Sequence, residues 1–236
     1  MSLPNLVWFI TGANSGFGLE LTLLALSKGH TVIATARDIN KFPQELRDNP
    51  NADLVVVHVD KSSNISTVID NAVSKHGRID VLVNNAGFGY LGAVEEVSEK
   101  DARYQFEVNF FAVFNLSKAV IPHMRRPMSG TIVQVSSAAG IVGQHGSPIY
   151  SASKFALEGL NEAMYKELQP FGIRVHIVEP GIFRTSFLGL ASKGQNISQP
   201  KEGYMDIRAT ISQVHGKQAG DPRKGVKRIF EVVTGT

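Results

Sequence analysis

Tyr150 and Lys154 stand four residues apart, a spacing that places two side chains on the same face of an α-helix. An ordinary tyrosine phenol has a pKa of about 10 and is a poor base at neutral pH. A lysine ammonium beside it favours the phenolate and so lowers that pKa. Ser137 follows an apolar run, residues 131–135, that predicts a buried strand. Its hydroxyl is suited to donate to a developing alkoxide while Tyr150 transfers a proton. A surface pair without chemistry is the alternative for the tyrosine and lysine alone.

Composition limits the classes of protein to which the chain can belong. Its 236 residues are enough for one large domain, and 24 basic against 21 acidic residues do not indicate a nucleic-acid partner. The chain has no cysteine, and its seven histidines form no closely spaced pair, so no metal site is expected. No apolar run is long enough to span a bilayer, and residues 1–5 lack a signal-peptide pattern. We therefore expect a cytoplasmic protein without membrane partners.

The first elements of the chain predict a dinucleotide site. An apolar strand, residues 6–10, is followed by a glycine turn at residues 11–18 and then by an apolar helix pattern. Glycines allow a tight turn and let the backbone approach a pyrophosphate, which then lies at the helix N-terminus. The glycines are spaced G-x-x-x-G-x-G, at Gly12, Gly16 and Gly18. A plain strand-to-helix turn is the alternative.

Charged residues after the second and third predicted strands concern the adenosine end of such a cofactor. Arg37 is the first charged residue after strand 31–35, and a basic residue there suits the 2′-phosphate of NADP, whereas an acidic one suits NAD. Asp38 follows at once, which leaves NAD as the alternative cofactor. Asp60 ends the predicted strand 54–59, where its carboxylate would accept from the adenine amino group or cap the next helix.

Two asparagines occupy unusual positions. Asn85 follows the predicted strand 80–83, and the two small residues after it suit close packing against a cofactor ring. Asn109 lies inside a predicted helix, residues 101–125, where asparagine is unfavourable because its side chain competes for backbone hydrogen bonds. At Asn109 we therefore expect a local kink, a buried hydrogen bond or a part in catalysis.

Strands alternate with helices six times along the chain, which predicts an α/β fold with a doubly wound parallel sheet in a single domain, residues 1–236. Ligands bind such sheets at the carboxyl ends of the strands. That edge is expected to collect the glycine turn, Arg37, Asp60, Asn85, Ser137 and Phe183.

Residues 182–220 show little regular periodicity, and a stretch of that length is often a functional lid. A partly disordered insertion is the alternative. The stretch contains apolar side chains enough to cover a lipophilic carbonyl compound: Phe183, Phe187, Leu188, Leu190, Tyr204 and Met205.

In order and spacing, these motifs resemble those of the short-chain dehydrogenase/reductase family, in its simple oxidoreductase branch. The matching segments are TGxxxGxG at residues 11–18, NNAG at 84–87, the helix asparagine at Asn109, the serine at Ser137, YxxxK at Tyr150 and Lys154, and PGxxxT at 180–185. The resemblance implies a Rossmann-type fold and hydride transfer between NADP(H) and a ketone or secondary alcohol.

The resemblance also implies a role for each matching residue. Tyr150 would be the acid/base, Lys154 would lower its pKa and hold the nicotinamide ribose, and Ser137 would orient the carbonyl. Asn109 would hold a water that relays protons to Lys154. The implied cofactor contacts also include Tyr150 and Lys154. The others are Gly12, Asn14, Ser15, Phe17 and Gly18 at the phosphates, Asp60 at the adenine, Asn85 near the adjoining ribose, Phe183 and Thr185 at the carboxamide and diphosphate, and Arg37 as the residue that favours NADP.

Family members commonly pair through two long helices, here residues 101–125 and 150–168, so a homodimer or homotetramer is expected. They usually carry a seventh strand after the last helix, here 223–233, and the printed sequence reaches Thr236 without one. Two other functions stay open: a non-catalytic NADP-binding module on the same fold, and a lyase or epimerase that uses the same tyrosine and lysine.

Overall fold

A computed structural model describes residues 5–61, 64–189 and 191–236. Its centre is a six-stranded sheet in which every neighbouring pair is parallel, in the order β3-β2-β1-β4-β5-β6. The strands are β1 Val7–Ile10, β2 Thr31–Ala36, β3 Ala52–Val56, β4 Val81–Asn84, β5 Gly130–Val135 and β6 Ile173–Val178. The described residues add no seventh strand. The strand order reverses between β1 and β4, which confirms the predicted Rossmann-type sheet.

The central strands are buried on both faces, and β1 shows why their sequences are unbroken apolar runs. Phe9 is in register with Ile33 of β2 and Leu82 of β4, and together they face one side of the sheet. Trp8 and Ile10 face the other side and belong to a second core cluster. Because both faces are covered by helices, alternation with polar residues is absent.

Helices cover the two faces in separate layers. They are α1 Gly16–Ser27, α2 Gln44–Arg47, α3 Ile65–His76, α4 Glu99–Phe106, α5 Ala112–Arg125, α6 Pro148–Leu168, α7 Ile207–Val214 and α8 Pro222–Thr234. Helices α1 and α8 pack together on one face, and α3, α5 and α6 pack on the other. None of these described helices is long and apolar enough to cross a membrane.

The third strand ends earlier than predicted. The sequence suggested residues 54–59, whereas β3 stops where its neighbour β2 stops, and the N–H of Val57 donates to the carbonyl oxygen of Ala36 (2.9 Å) as the last bond between them. Val57 and Val59 remain buried in the core against α3. The apolar pattern therefore continues because of packing after strand pairing has ended.

The predicted helix over residues 101–125 is a composite. Helices α4 and α5 are joined by a π-helical turn, Glu107–Phe111. In such a turn the backbone hydrogen bonds join residues five apart, so the turn contains one more residue than an α-helical turn. Asn109 lies in this turn. An extra residue in one turn shifts the helix face, and hydrophobic periodicity alone does not show such a shift.

The stretch over residues 182–220 has more structure than its sequence indicated. It contains α7, whose Ile207 and Ile211 pack with Leu91 and Ile197 in a small separate core. It also contains two short 3₁₀ turns, Ser186–Gly189 and Ala191–Lys193, and Leu190 lies outside the described residues. The stretch begins and ends at a parallel bridge between Phe183 and Gly220. A helix of two turns was too short for its periodicity to be visible in the sequence.

Candidate active site

Loops that follow several strands meet at the carboxyl edge of the sheet. Asn85, after β4, donates from Nδ2 to the carbonyl oxygen of Thr11 after β1 (2.8 Å). Lys154 on α6 donates from Nζ to the carbonyl oxygen of Val135 at the end of β5 (2.8 Å). These bonds connect the glycine turn, the NNAG segment, the serine turn and α6 around one site.

Tyr150, Ser137 and Lys154 are grouped at the centre of this site. Tyr150 lies in the first turn of α6, and its side chain forms a hydrogen bond with Ser137. Lys154 is nearly fully buried, and its Nζ lies 5.9 Å from the centroid of the Tyr150 ring. The face of α6 that carries both residues is turned toward β5.

Burial sets the protonation of both groups. It raises the pKa of the Tyr150 phenol, and the hydrogen bond with Ser137 opposes this effect. It lowers the pKa of Lys154 to about 8, against the attraction of the Glu158 carboxylate. Burial therefore favours the protonated phenol here, and the lowering of its pKa by Lys154 stays a prediction. The ammonium is directed at the carbonyl oxygen of Val135.

Asn109 is fully buried, and both hydrogens of its amide have partners. Nδ2 donates to the carbonyl oxygen of Phe88 (3.0 Å) and to Ser153 Oγ (3.2 Å), while Oδ1 accepts from the N–H of Phe88 (3.2 Å). A Cβ atom on Gly87 would lie 3.2 Å from Asn109 Oδ1 and 3.8 Å from Lys154 Nζ, so the two side chains share this neighbour. A π-helical turn and buried hydrogen bonds are present at Asn109, and the proton relay stays a prediction.

Gln105 was missed in the sequence although it acts beside Asn109. It is fully buried, donates from Nε2 to the carbonyl oxygen of Phe88 (2.7 Å), and accepts at Oε1 from the N–H of Tyr90 (2.7 Å). Two amide side chains four residues apart thus hold the loop after β4. The sequence does show Gln105 and Asn109 four residues apart on one face of a predicted helix, and buried amides on such a face need hydrogen-bond partners.

The glycine turn requires all three of its glycines, and Gly16 has φ +54°. Gly12 has φ +65°, and a Cβ there would lie 3.1 Å from Asn85 Nδ2 and from Ala86 Cα. A Cβ on Gly18 would collide with the carbonyl oxygen of Gly12. Asn85 also donates to that carbonyl oxygen (3.3 Å), so its side chain supports the turn from the β4 side, and its contact with a ribose stays a prediction.

The start of α1 fits a diphosphate. Its N-cap, Ser15, is exposed and makes no side-chain capping bond, so the first-turn N–H groups have no partner within the helix. Asn14 is partly buried in the same loop. Thr185 closes the other side, since a Cβ on Gly16 would lie 3.4 Å from Thr185 Cβ. Free N–H groups at a helix N-terminus are a common site for phosphate.

Phe17 and Phe183 are placed differently from the other predicted contacts. Their rings pack edge to face with centroids 4.9 Å apart, and both lie against Gly225 of α8. The rings therefore belong to the packing between α1 and α8. Ligand contacts predicted for these two residues would come from their backbone groups.

The predicted adenosine end combines an exposed cation with a partly buried carboxylate. Arg37 is exposed after β2, and Asp38 turns away to accept from the N–H of Asn40 (2.9 Å). Asp60 lies in the loop after β3, where Oδ2 accepts from the Tyr104 hydroxyl (3.3 Å). Its Oδ1 is buried without a hydrogen-bond partner among the described residues. An unpaired buried acceptor fits the amino group of an adenine.

A parallel sheet of this order, with a glycine cradle at its switch point, defines a Rossmann-type dinucleotide-binding domain. The model of the short chain dehydrogenase family matches residues 6–196, and the chain belongs to this family. It is 40% identical over 230 residues to 3-ketodihydrosphingosine reductase of Bacteroides thetaiotaomicron, covering 95% of this chain and 82% of that protein.

Solved structures show the same architecture. A short-chain dehydrogenase from Streptomyces avermitilis superimposes with a TM-score of 0.86 at 37% identity, covering 96% of this chain and 83% of its own. A metagenomic short-chain oxidoreductase in complex with NADP has a TM-score of 0.79 at 26% identity and coverages of 99% and 93%. A Burkholderia phymatum structure in complex with NAD shares the fold at 23% identity, with a TM-score of 0.88 and coverages of 100% and 88%. Members of this fold therefore hold either dinucleotide.

Proposed function

We propose that the chain is an NADP-dependent oxidoreductase that transfers hydride between NADP(H) and a ketone or secondary alcohol of a lipophilic small molecule. The observation that carries the proposal is the grouping of Tyr150, Ser137 and Lys154 at the sheet edge that also holds the glycine cradle. The similarity to a protein named 3-ketodihydrosphingosine reductase supports both the reaction and a lipophilic ketone.

The chain's own residues supply the proton chemistry. When bound, the nicotinamide cofactor would supply hydride to the carbonyl carbon. Ser137 Oγ accepts from the N–H of Ala139 (3.1 Å), and when substrate binds, the hydroxyl hydrogen would turn from Tyr150 to the carbonyl oxygen. Tyr150 gives its phenol proton to that oxygen, which becomes a hydroxyl, and is left as a phenolate. Protonated Lys154 stabilises this charge until solvent returns the proton.

Apolar side chains beside Tyr150 support a lipophilic substrate. The centroids of the Phe187 and Tyr150 rings lie 5.5 Å apart. A Cβ on Gly89 would lie 3.1 Å from the Phe187 ring, so the backbone of Gly89 packs closely against that ring. The loop between Ser137 and α6 exposes Ile141 and Val142. Clustered exposed apolar residues next to a reactive group are typical of a binding surface.

Residues 182–220 are proposed as the lid over this surface. Its central part is held by a parallel bridge between Leu91 and Ile197. The Glu96 carboxylate accepts from Ser198 Oγ (2.9 Å) and from the N–H of Lys201 (2.9 Å). These contacts tie the lid to the loop after β4. The same loop carries Gly89, where a Cβ would lie 3.6 Å from the Tyr150 ring.

The preference for NADP is proposed to depend on Arg37. Asp38 is engaged as a cap, whereas Arg37 interacts with the Tyr104 hydroxyl beside Asp60, at the end of the site where a 2′-phosphate would bind. We expect Arg37→Ala to weaken NADPH binding by about fivefold, with NADH affinity within about twofold, because an exposed charge contact contributes about 1 kcal/mol. NADPH fluorescence titration measures the first and competition by NADH the second. Lys41→Ala, which removes an exposed cation nearby, is the control, and equal losses for both dinucleotides in Arg37→Ala would refute the assignment.

Turnover tests the function itself. The purified chain is incubated with NADPH and a panel of ketones of increasing chain length, and NADPH absorbance and product are followed together. Ketone-dependent loss of NADPH with one alcohol formed per NADPH is the expected result. Tight NADPH binding without turnover of any ketone would favour the non-catalytic module. Conversion of substrate without net consumption of NADPH would favour a lyase or epimerase.

The proposal includes a homodimer or homotetramer formed through α5 and α6, and a cytoplasmic location remains a prediction. Four aromatic side chains on or beside these helices are 40–55% exposed: Phe111, Phe114, Phe155 and Tyr165. Light scattering coupled to size exclusion is expected to give at least twice the 25.6 kDa chain mass. A monomer at micromolar concentration would contradict this part.

A further inference from the structure

Two successive turns of α6 hold the end of β5. Lys154 Nζ donates to the carbonyl oxygen of Val135 (2.8 Å), and Ser136 Oγ donates to Glu158 Oε1 (2.5 Å). Ser137 is the next residue along the chain. The position of Ser137 relative to Tyr150 therefore depends on two bonds from the helix that carries Tyr150.

The bond between Ser136 and Glu158 requires space that the chain keeps open. A Cβ on Gly140 would lie 2.7 Å from Glu158 Oε1 and 2.8 Å from Ser136 Oγ. Ser136 is 4% exposed, and its N–H donates to the carbonyl oxygen of Val178 in β6 (2.7 Å). The hydroxyl is thus fixed by the sheet on one side and by Glu158 on the other.

Glu158 also contributes charge at this point. It faces Lys154 and Glu162 on its own helix and Glu179 after β6. Burial raises the pKa of Glu158, while the hydrogen bond with Ser136 opposes that rise. Its carboxylate raises the pKa of Lys154 against the larger effect of burial. Glu158 is therefore the acidic group that offsets part of the cost of burying the ammonium.

We propose that Glu158 is a positioning residue for the reaction: its carboxylate fixes the Ser136–Ser137 turn and sustains the positive charge of Lys154. The inference rests on the proposed function for its catalytic meaning. Its structural basis is the two bonds from α6 and the spacing of Lys154 and Glu158, four residues apart on one face of that helix, and it is independent of any substrate.

The first experiment needs no substrate. The chain is labelled with ¹³C-lysine, the Lys154 Cε signal is assigned by its loss in Lys154→Arg, and its titration is followed by NMR without cofactor. Glu158→Gln keeps an acceptor for Ser136 and removes the charge, so its Lys154 midpoint is expected to fall by roughly half to one pH unit. Ser136→Ala removes the bond and keeps the charge, and its midpoint is expected to stay within about a quarter unit of the wild type.

Glu162→Gln is the matched control, since it removes an exposed carboxylate one turn further along α6. It should leave the Lys154 midpoint unchanged. An unchanged midpoint in Glu158→Gln, or an equal shift in Glu162→Gln, would overturn the electrostatic part of the inference. Because no turnover is measured, failure here is separate from failure of the proposed reaction.

The second experiment follows the pH dependence of kcat with a long-chain ketone that the wild type reduces. Glu158→Gln is expected to match the wild type near pH 6, where Lys154 is protonated in both proteins. It should lose roughly three- to tenfold of kcat near pH 9, with KM for NADPH within about twofold. Ser136→Ala should lower kcat at all pH values because Ser137 is less well placed. A uniform loss for Glu158→Gln across pH would leave only a structural role and overturn the proposal.

Discussion

Replacing Tyr150 with phenylalanine is expected to lower kcat for ketone reduction by about 10²- to 10⁴-fold, the usual contribution of a general acid. The substitution removes the proton that Tyr150 gives to the carbonyl oxygen and retains the ring. That ring packs against Phe187 and stands beside Lys154, so the site should keep its shape. Affinity for NADPH is expected to stay within about threefold, because no phosphate or adenosine contact is removed.

The assay compares single-turnover reduction with NADPH binding in the same preparation. Tyr165→Phe is the control, since it removes an exposed hydroxyl from the same helix and should turn over normally. Retention of more than about a tenth of the wild-type kcat in Tyr150→Phe would exclude Tyr150 as the proton donor. Loss of NADPH binding together with turnover would instead indicate a collapsed site.

Replacing Lys154 with methionine is expected to stabilise the fold while lowering kcat by about a hundredfold or more. Burial lowers the pKa of Lys154 from 10.5 to about 8, which corresponds to about 3 kcal/mol against the folded state at neutral pH. Methionine is similar in length and carries no charge, so its burial does not destabilise the folded state in this way. Loss of the hydrogen bond to the carbonyl oxygen of Val135 destabilises the variant by about 1–2 kcal/mol. The free energy of unfolding is therefore expected to rise by a net amount of about 1–2 kcal/mol.

The pH dependence of this gain gives a sharper check. Below pH 8 the lysine is charged in the folded and unfolded chains, and the whole cost of burial is present. Between about pH 8 and 10.5 the folded chain has lost the proton that the unfolded chain still binds, so wild-type stability rises with pH relative to the variant. Urea unfolding at pH 7 and pH 10 should therefore show the advantage of Lys154→Met shrinking.

Lys166→Met, an exposed lysine on the same helix, is the control and should show no such pH dependence. A variant less stable than the wild type at pH 7 would mean that the ammonium is better solvated or better paired than its surroundings indicate. That result would also weaken the argument that Lys154 is kept at a structural cost for the sake of its charge.

The sequence predicted the sheet well because strands that are buried on both faces are continuous apolar runs, as around Leu82 and Ile132. It also predicted which loops would meet, since the carboxyl ends of parallel strands share an edge. Asn85 and Phe183 show where that reasoning stops. Both follow a strand as expected, yet the first amide supports the glycine turn and the second ring packs on Phe17. Position along the chain does not fix where a side chain points.

Other features depended on contacts that no single stretch of sequence contains. The early end of β3 follows from the end of its neighbour, and the protonated state of Tyr150 follows from burial together with the direction of the Lys154 ammonium. Gln105 and the π-helical turn become meaningful only once the loop after β4 is seen against them. Local pattern therefore gives elements and candidates, and tertiary packing assigns their partners.

The bridge between Phe183 and Gly220 brings together the two ends of the intervening segment. The N–H of Arg184 donates to the carbonyl oxygen of Gly220 (2.9 Å), and the N–H of Gly220 donates to that of Ile182 (3.1 Å). The two ends of the segment are thus neighbours in space, and lengthening such a loop costs little closure entropy. Because this segment is the proposed lid, insertions or deletions between these ends are expected to change which ketones bind while Ser137 and Tyr150 stay in place. Substrate choice can in this way evolve separately from the chemistry.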